Sequence, residues 1–379
     1  MPDSMTFKGV NYPSWWNGKF ASPESDAALA RLAEAKGNAV AIVPTHYIST
    51  LTSHDIHATE QTESAASVAH AIATAKAQGL QVMLKPHVDT LAHDFRGFIK
   101  PDDPGAWFAA YTDLMVGYAR MAQAQGVELL SIGSEYQTLT QPVYAPYWNA
   151  LIDAVRGVYG GKLTYAAYLG EASSVPFWGR LDYVGANIYT GLATQPNPSV
   201  DDLVAAWSRP PPDPQHAGQT GGMAPAEYLA HIAKASGKPV LITEIGYRSA
   251  PGAAQKPEAV GVPGHVDGAG QAALYEAMFQ VWLRDRPDWV KGLFLWDWQP
   301  VPTGEDATGY TPQDKPAEAV MKRWFSGEAA GIGIPLPGWD RAMLVVPKEF
   351  AAKVAAAHHQ TWCEVGLPDG GWTHANVIL

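Results

Sequence analysis

Residues 237–247 read GKPVLITEIGY, in which a predicted helix ends at Gly237 and an apolar run, Val240–Ile242, is broken by Glu244. A short apolar run after a helix-ending glycine indicates a buried strand. A carboxylate at the end of such a strand is costly unless it is paired or used in chemistry. The stretch therefore predicts a strand that carries a carboxylate with a special role.

The same pattern recurs along the chain, with eight apolar strand candidates separated by helical segments. Their interiors are continuous apolar runs, as expected of parallel strands that are covered on both faces. The predicted strands are 7–12, 38–47, 80–88, 127–135, 162–168, 181–189, 238–247 and 290–298. The predicted helices are 22–37, 63–79, 103–126, 144–161, 225–237, 270–287 and 315–325, and the link between the fifth and sixth strands is only weakly helical.

Eight strand–helix units predict an α/β fold, a (β/α)8 TIM barrel over residues 1–325. Residues 326–379 are predicted to form a C-terminal extension that packs on the barrel and contains one helix candidate, 348–361. The alternative is a doubly wound open sheet, but that fold usually has a glycine-rich phosphate turn after its first strand, and NYPSWWNGKF is not one.

The connections between predicted elements are unequal in length. Those that follow the second, sixth and seventh predicted strands are long, polar and rich in proline and glycine, whereas the returns into the strands are short. Long loops on one face of a scaffold carry function more often than short ones. The carboxyl-terminal face of the barrel is therefore the expected place of a site.

Composition excludes several classes of protein. The formal net charge of −11 over 379 residues argues against a nucleic-acid partner. No apolar run approaches the length of a membrane span. The N-terminus has no basic start followed by an apolar stretch, so a cytoplasmic protein is expected unless a signal peptide has been removed. The single cysteine, Cys363, excludes an intramolecular disulfide and a CxxC metal site.

Side chains at the carboxyl ends of barrel strands converge on one pocket. Here they are Tyr12, His46, Tyr47, Lys85, His87, Asp89, Ser134, Glu135, Tyr168, Asn187, Tyr189, Glu244, Tyr247, Trp296, Asp297 and Trp298. Trp15 and Trp16 follow the first strand, as either a platform for a sugar ring or a plug over the barrel mouth. The 14 tryptophans of the chain fit core packing and sugar stacking equally well.

Glu135 and Glu244 come from opposite walls of this narrow barrel. Two carboxylates roughly 5 to 5.5 Å apart suit double displacement at the anomeric carbon of a sugar. One must be an ionised nucleophile and the other must be protonated, so their environments must push their pKa values apart. Tyr189 is expected to donate a hydrogen bond to the ionised carboxylate, and Trp296 to form the floor under the sugar ring.

Other interpretations of these residues compete with this one. Glu244 is a structural glutamate if it forms a salt bridge, for example with Arg248. His87 and Asp89 share one face of a strand and are conceivable metal ligands, but a catalytic zinc needs three protein ligands and the first strand offers none. Lys85 is a conceivable Schiff-base lysine, but that role leaves both glutamates unexplained. The sequence thus predicts neither a metal nor another cofactor.

Four motifs, LKPHVD (84–89), SIGSEY (131–136), ITEIGYRS (242–249) and FLWDW (294–298), resemble those of the clan A retaining glycoside hydrolases. Within that clan the chain most resembles family 113, whose described members are β-1,4-mannanases. LTYAAY, FWGRLDYVGANIY and YTPQDKPAEAVMKRWF add to the resemblance, which covers roughly residues 6–325.

The resemblance implies that Glu135 is the general acid/base and Glu244 the nucleophile of a retaining β-glycoside hydrolase. Its implied substrate is β-1,4-mannan or manno-oligosaccharide. A β-glycosidase of other sugar specificity, and a carbohydrate-binding barrel with little or no catalysis, are the alternatives.

Ser134 stands where most of the clan has an asparagine that touches the sugar 2-hydroxyl, so another group, such as His87 or Lys85, is expected to make that contact. A small residue at this place is typical of family 113. The oligomeric state stays open.

Overall fold

Parallel strands close into a barrel in the computed structural model, which describes residues 7–259, 265–301 and 307–327 and the backbone of 342–344, 362–366 and 372–377. The barrel strands are β1 (Phe7–Ser14), β2 (Ala39–Ile48), β3 (Gln81–Leu84), β4 (His87–Thr90), β5 (Leu129–Ser134), β6 (Lys162–Tyr168), β7 (Val184–Ile188), β8 (Val240–Ile245) and β9 (Val290–Leu295). Because β1 pairs with both β2 and β9, the sheet has no free edge. The predicted TIM barrel is confirmed, with β3 and β4 together forming its third wall.

This third wall is interrupted at Lys85 and Pro86. β3 pairs with the first half of β2 and β4 with its second half. Proline has no N–H to donate to a neighbouring strand, so the hydrogen-bond ladder breaks there while the chain keeps its direction. The Lys85 N–H still donates to the Ile42 carbonyl at 2.9 Å. The interruption therefore leaves Lys85 within the wall, just below the mouth of the barrel.

Helices follow the strands, at the predicted places and also at two places where the sequence predicted a loop. They are α1 (Pro23–Glu34), α2 (Ala65–Ala77), α3 (Pro104–Ala124), α4 (Ala145–Arg156), α5 (Val200–Ala206), α6 (Pro214–Gln219), α7 (Pro225–Ser236), α8 (Gly268–Phe279) and α9 (Pro316–Ser326). Ser22 caps the start of α1, because its hydroxyl accepts a hydrogen bond from the Ser25 N–H at 3.1 Å. Between β6 and β7 the chain forms only the 3-10 turns Leu169–Glu171 and Trp178–Arg180.

Alternate side chains of the strands pack in two separate hydrophobic clusters. The larger cluster fills the layer between strands and helices. The smaller one occupies the barrel interior and contains Phe7, Ala39, Ala41, Val43, Met83, Leu129, Leu241 and Phe294. Gly9 makes room for the Phe294 ring, which a Cβ atom at Gly9 would approach to 2.5 Å. Side chains closer to the carboxyl ends of the same inward rows are polar, and they form the site.

The loops at that face are partly ordered into helices. The long connection after β7, which the sequence predicted only as a loop, contains α5 and α6. Beyond α9, the strands β10 (Ala342–Leu344), β11 (Trp362–Gly366) and β12 (Trp372–Val377) form a small sheet with β12 in the middle. The sequence predicted no strand there, and its helix candidate 348–361 lies outside the described residues. No helix in the described part of the chain is long and apolar enough to cross a membrane.

Candidate active site

Two glutamates lie at the carboxyl ends of β5 and β8, each beside an irregularity in strand pairing. The register of β5 against β6 shifts between Ser131 and Ser134, immediately before Glu135. The register of β8 against β9 shifts between Ile242 and Ile245, the stretch that contains Glu244. Bulges of this kind re-aim side chains and are frequent beside active sites. The two irregularities explain how both carboxylates turn toward the barrel mouth.

Glu135 has a left-handed backbone conformation, with φ of 59°. Its N–H donates to the Ala166 carbonyl at 2.9 Å, which fixes the peptide against β6. A non-glycine residue in this region costs on the order of 1 to 3 kcal/mol and persists only when its surroundings impose it. Residues held in this way cluster at functional sites.

Glu244 is 4% exposed and is held by two hydrogen bonds from side chains. The Lys85 ammonium donates to Oε1, and the Tyr189 hydroxyl donates to Oε2 at 3.0 Å. The expected role of Tyr189 as a donor to one carboxylate is thus seen in the geometry. The suggested salt bridge to Arg248 is not formed, since the cation beside Glu244 is Lys85.

Lys85 is completely buried and also donates to the Asn11 side-chain oxygen at 3.0 Å. Burial lowers its pKa, while the charge of Glu244 and the hydrogen bond to it act in the opposite direction. A buried ion pair of this kind is tolerated when further hydrogen bonds complete it. Asn11 and Tyr189 supply those bonds, one on each side of the pair.

The second carboxylate, Glu135, has a raised pKa. Burial, followed by the negative charge of Glu244, raises the pKa of Glu135 to about 7. Arg96 opposes this shift, with its Nη1 atom 3.4 Å from Glu135 Oε2. The same guanidinium donates from Nε to Asp89 at 2.6 Å. Glu135 is therefore a carboxyl group that gains and loses a proton near neutral pH, as a general acid/base must.

The floor of the site is aromatic. The Trp296 ring stacks on His87, with centroids 6.4 Å apart and an angle of 9° between the planes. The Lys85 Nζ atom lies 5.7 Å from the Trp296 centroid, and Trp15 meets the same ring edge-on at 6.4 Å. Trp15 and Trp16 are 43% and 48% exposed, so neither is a buried plug. Flat apolar rings with this exposure suit stacking against sugars.

Several buried polar atoms of the site have no hydrogen-bond partner within the described residues. They are His87 Nε2, Ser134 Oγ and the Tyr47 hydroxyl. Burial and the nearby charges of Arg96 and Lys85 lower the pKa of His87 well below its usual value, so the ring is neutral. An unsatisfied buried polar group is costly, and a bound hydroxyl-rich ligand would remove that cost.

Two further predicted residues line the opposite side. The Tyr168 hydroxyl accepts a hydrogen bond from Gln219 of α6, and its ring meets Phe95 at 5.6 Å. The Asn187 side-chain oxygen accepts from the Thr243 hydroxyl at 2.8 Å. The Asn187 Nδ2 atom has no hydrogen-bond partner among the described residues, but the nearby Asn187 amide contributes to lowering the pKa of Glu135. Both residues therefore lie close to the acid/base candidate.

Four predicted residues are not brought to the carboxylates. The Tyr12 hydroxyl bonds to the Ser25 hydroxyl of α1 at 2.7 Å, and Trp298 donates to the Ala28 carbonyl of the same helix at 2.9 Å. His46 meets Tyr118 of α3 edge-on at 5.8 Å. Tyr247 is buried in the layer between strands and helices. Tyr12 and His46 lie on the outward face because successive side chains along a strand point to opposite faces. Tyr247 and Trp298 follow the ends of β8 and β9, where this alternation no longer applies.

The sequence-based interpretation missed two residues. Asn11, rather than Tyr12, is the inward side chain of β1, and the alternation from Phe7 and Gly9 was a usable signal for it. Arg96, the partner of Asp89 and Glu135, lies in the 3-10 turn Arg96–Phe98 that follows β4. No pattern in the sequence marks this arginine, because its position depends on the path of a loop. The pairing with Arg96 also accounts for Asp89 without a metal.

Comparison with known proteins gives a consistent result. The model of Glycoside Hydrolase Family 113 matches residues 5–315. The structure of a GH113 β-mannanase from Alicyclobacillus acidocaldarius in complex with ManMIm is 27% identical, with a TM-score of 0.72, covering 86% of this chain and 99% of that one. A GH113 β-1,4-mannanase structure, for which no organism is named, is 25% identical with a TM-score of 0.72, covering 85% and 99%.

Two other comparisons add less. The β-glucuronidase of Faecalibacterium prausnitzii shares the fold alone, at 14% identity and a TM-score of 0.57, covering 88% of this chain and 50% of that one. A comparison with curated protein sequences gave no match.

Proposed function

Since this chain belongs to glycoside hydrolase family 113, we propose that it hydrolyses β-1,4-linked mannan or manno-oligosaccharides with retention of anomeric configuration. The observation that carries this proposal is the contrast between its two buried glutamates. Glu244 is bonded to a lysine and a tyrosine, whereas the pKa of Glu135 is raised to about 7. A carboxylate held by two hydrogen-bond donors and a second carboxyl with a raised pKa at one barrel mouth suit double displacement.

In the first step of the proposed mechanism, Glu244 attacks the anomeric carbon and its carboxylate becomes an ester. The bond to the leaving oxygen breaks at the same time, and Glu135 donates its proton to that oxygen. Lys85 and Tyr189 keep the Glu244 carboxylate in position before the attack. The hydrogen bonds that Lys85 and Tyr189 donate to the oxygens of Glu244 also stabilise the charge that Glu244 regains when the ester is later cleaved.

In the second step a water molecule takes the place of the leaving group. Glu135, now ionised, accepts a proton from this water as its oxygen attacks the anomeric carbon, and Glu244 leaves as a carboxylate. Two inversions at one carbon give overall retention. A pKa near 7 suits both roles, because Glu135 must donate in one step and accept in the other.

The surroundings of the carboxylates support a sugar as the substrate. Trp296 offers a flat apolar surface next to Glu244, and the exposed rings of Trp15 and Trp16 extend it outward. His87, Ser134 and Tyr47 present polar atoms without protein partners. In the absence of an asparagine at position 134, His87 is the group that we assign to the 2-hydroxyl of the sugar.

The test measures the anomeric configuration of the first product released from a β-1,4-manno-oligosaccharide. Proton NMR spectra recorded before mutarotation give this configuration. We expect the β-anomer to appear first and the α-anomer to grow in later. An α-anomer formed first would overturn double displacement. Binding of the oligosaccharide without release of reducing ends over long incubation would favour the carbohydrate-binding alternative.

A further inference from the structure

A cavity of about 450 Å³ lies between the loops that follow β7 and β8, outside the site formed by the two glutamates. Its volume is within the range of small-molecule pockets. We call it the Arg248 cavity, and its polar lining residues are Arg248, Lys256, Gln255, Asp213 and Thr194. Gln255 donates to the Thr194 carbonyl at 2.6 Å and so ties the two loops together.

The guanidinium of Arg248 is buried without a carboxylate partner in the described part of the chain. The residue is 4% exposed, and its Nε atom has no hydrogen-bond partner. Its one side-chain hydrogen bond is long, 3.5 Å from Nη2 to the Lys256 carbonyl. By contrast, the deeply placed Arg96 pairs with Asp89 and Glu135. Burying an unpaired cation is unfavourable, so the cavity beside Arg248 is suited to an anion.

The other charged side chains of the cavity refine this expectation. Lys256 is exposed. Backbone hydrogen bonds, chiefly from His216, lower the pKa of Asp213, and the charge of Lys256 adds to this shift. Asp213 accepts hydrogen bonds from the backbone N–H groups of Gln215 and His216, at 2.8 and 3.2 Å. A carboxylate in the lining repels a multiply charged inorganic anion, but it accepts hydrogen bonds from hydroxyl groups. The combination favours a ligand with one carboxylate and several hydroxyls.

The cavity adjoins the catalytic site through a shared wall. Arg248 follows Glu244 by four residues. The Tyr310 ring lies 6.1 Å from the ring of Tyr189, whose hydroxyl donates a hydrogen bond to Glu244. The Tyr310 hydroxyl donates a hydrogen bond to the carbonyl of Pro257, which is next to Lys256 in the chain. A glycan bound over Glu244 therefore has this cavity beside it.

From these observations we propose that the Arg248 cavity binds a carboxylate-bearing sugar, such as a uronic acid unit carried by the glycan. Arg248 pairs with the carboxylate through its planar fork of N–H groups, which matches carboxylate geometry. Lys256 adds a second positive charge at the solvent side, and Asp213 accepts the sugar hydroxyls. The inference rests on the proposed function, because it takes the neighbouring site to bind a glycan.

The test measures binding of D-glucuronate, D-glucose and inorganic phosphate to the full chain by calorimetry at low ionic strength. We expect glucuronate to bind at least about tenfold more tightly than either of the others, as one charge-assisted pair allows. Arg248→Gln should abolish this preference, and Lys256→Gln should weaken it several-fold. The matched control is Lys322→Gln, since Lys322 is an exposed lysine on α9 and its loss should change nothing.

Hydrolysis of neutral manno-oligosaccharides separates this proposal from the proposed function. We expect Lys256→Gln to keep wild-type activity on the neutral substrate while losing affinity for glucuronate. Equal affinity for glucuronate and glucose in an enzyme that still hydrolyses neutral chains would overturn the cavity proposal alone. Phosphate bound as tightly as glucuronate would also overturn it. Because Lys256 is exposed, this variant keeps the test decisive even if Arg248→Gln does not fold.

Discussion

The Lys85 ammonium donates a hydrogen bond to the Glu244 carboxylate, although the lysine side chain is fully buried and that of the glutamate is 5% exposed. Both charged groups are buried, so each depends on the other for compensation. The two residues are 159 positions apart in the chain and come from opposite parts of the barrel wall. Closure of the barrel therefore brings Lys85 into contact with Glu244, the nucleophile candidate.

Lys85→Met should reduce both stability and turnover. Removing one member of a buried ion pair costs roughly 3 to 5 kcal/mol, because the other charge is left without a partner. We expect the free energy of unfolding to fall by about that amount in denaturant titrations, and kcat to fall at least about 100-fold. The double variant Lys85→Met/Glu244→Gln should recover part of the lost stability but none of the activity. Equal losses of stability in the single and double variants would show that the pair is not coupled.

Activity should decline as the pH rises through about 7. The general acid must be protonated in the free enzyme, and the pKa of Glu135 is raised to about 7. The basic limb of a kcat/KM profile reports this group. Because the charge of Arg96 lowers the pKa of Glu135, Arg96→Met should move the basic limb to higher pH. A limb that stays in place in this variant would contradict the assignment of Glu135 as the acid.

The same pKa predicts how stability depends on pH. Between the ordinary glutamate pKa of 4.5 and about 7, the folded protein keeps the Glu135 proton while the unfolded chain loses it. The folded state therefore binds more protons in this window, and its stability falls as the pH rises. Glu135→Gln removes this dependence, so the variant should be more stable than the wild type above pH 7 by roughly 3 kcal/mol. Its advantage should vanish below about pH 4.5, and denaturant titrations at pH 4 and pH 8 measure both.

Azide distinguishes the roles of the two glutamates. In Glu244→Ala, azide can attack the anomeric carbon in place of the missing nucleophile, and one inversion gives an α-glycosyl azide. In Glu135→Ala, azide replaces water in the second step, and two inversions give a β-glycosyl azide. We expect these products, identified by NMR, from an activated β-mannoside with a good leaving group. The reverse pattern would exchange the two roles, and undiminished turnover in Glu244→Ala would exclude the mechanism.

The contrast between Trp296 and Trp298 shows which parts of this site could be predicted from sequence. Both follow the last barrel strand, and both were expected at the site, but only Trp296 stacks on His87 and lies beside Lys85, the partner of Glu244. Hydrophobic periodicity and helix-ending glycines were enough to locate the strands, the helices between them and the barrel. Alternation would have separated Asn11 from Tyr12, since β1 is regular. It could not have placed Glu244, because a shift of register moves it relative to its neighbours in the strand.

Loops set a second limit on what could be predicted from the sequence. Arg96 reaches the site from a loop segment without periodicity. Its position follows from the path of the whole chain and not from neighbouring residues. The structure brings the predicted charged residues of the strands together, but the sequence could not pair Asp89 with Arg96.

Glu63 holds the loop that carries the two exposed tryptophans. Its carboxylate is 2% exposed and accepts hydrogen bonds from the Ser14 hydroxyl at 2.7 Å, the Gly18 N–H at 2.7 Å and the Phe20 N–H at 2.8 Å. All three donors belong to the segment 14–20, which includes Trp15 and Trp16. Fixing this segment before the substrate arrives reduces the entropy that binding must overcome. Glu63 is thus a positioning residue for the platform.

Glu63→Gln should therefore raise KM and leave kcat almost unchanged. An amide has one acceptor oxygen, and its NH2 group cannot accept from a backbone N–H, so part of the anchoring is lost. We expect KM for a manno-oligosaccharide to rise about tenfold, which corresponds to roughly 1.4 kcal/mol of substrate binding. Trp15→Ala should have a similar effect, and the double variant should add little to either change, because both act through one loop. Glu60→Gln is the matched control, since Glu60 is an exposed neighbour whose backbone carbonyl alone contacts the loop. An unchanged KM in Glu63→Gln, or fully additive effects in the double variant, would show that Glu63 does not act by positioning Trp15.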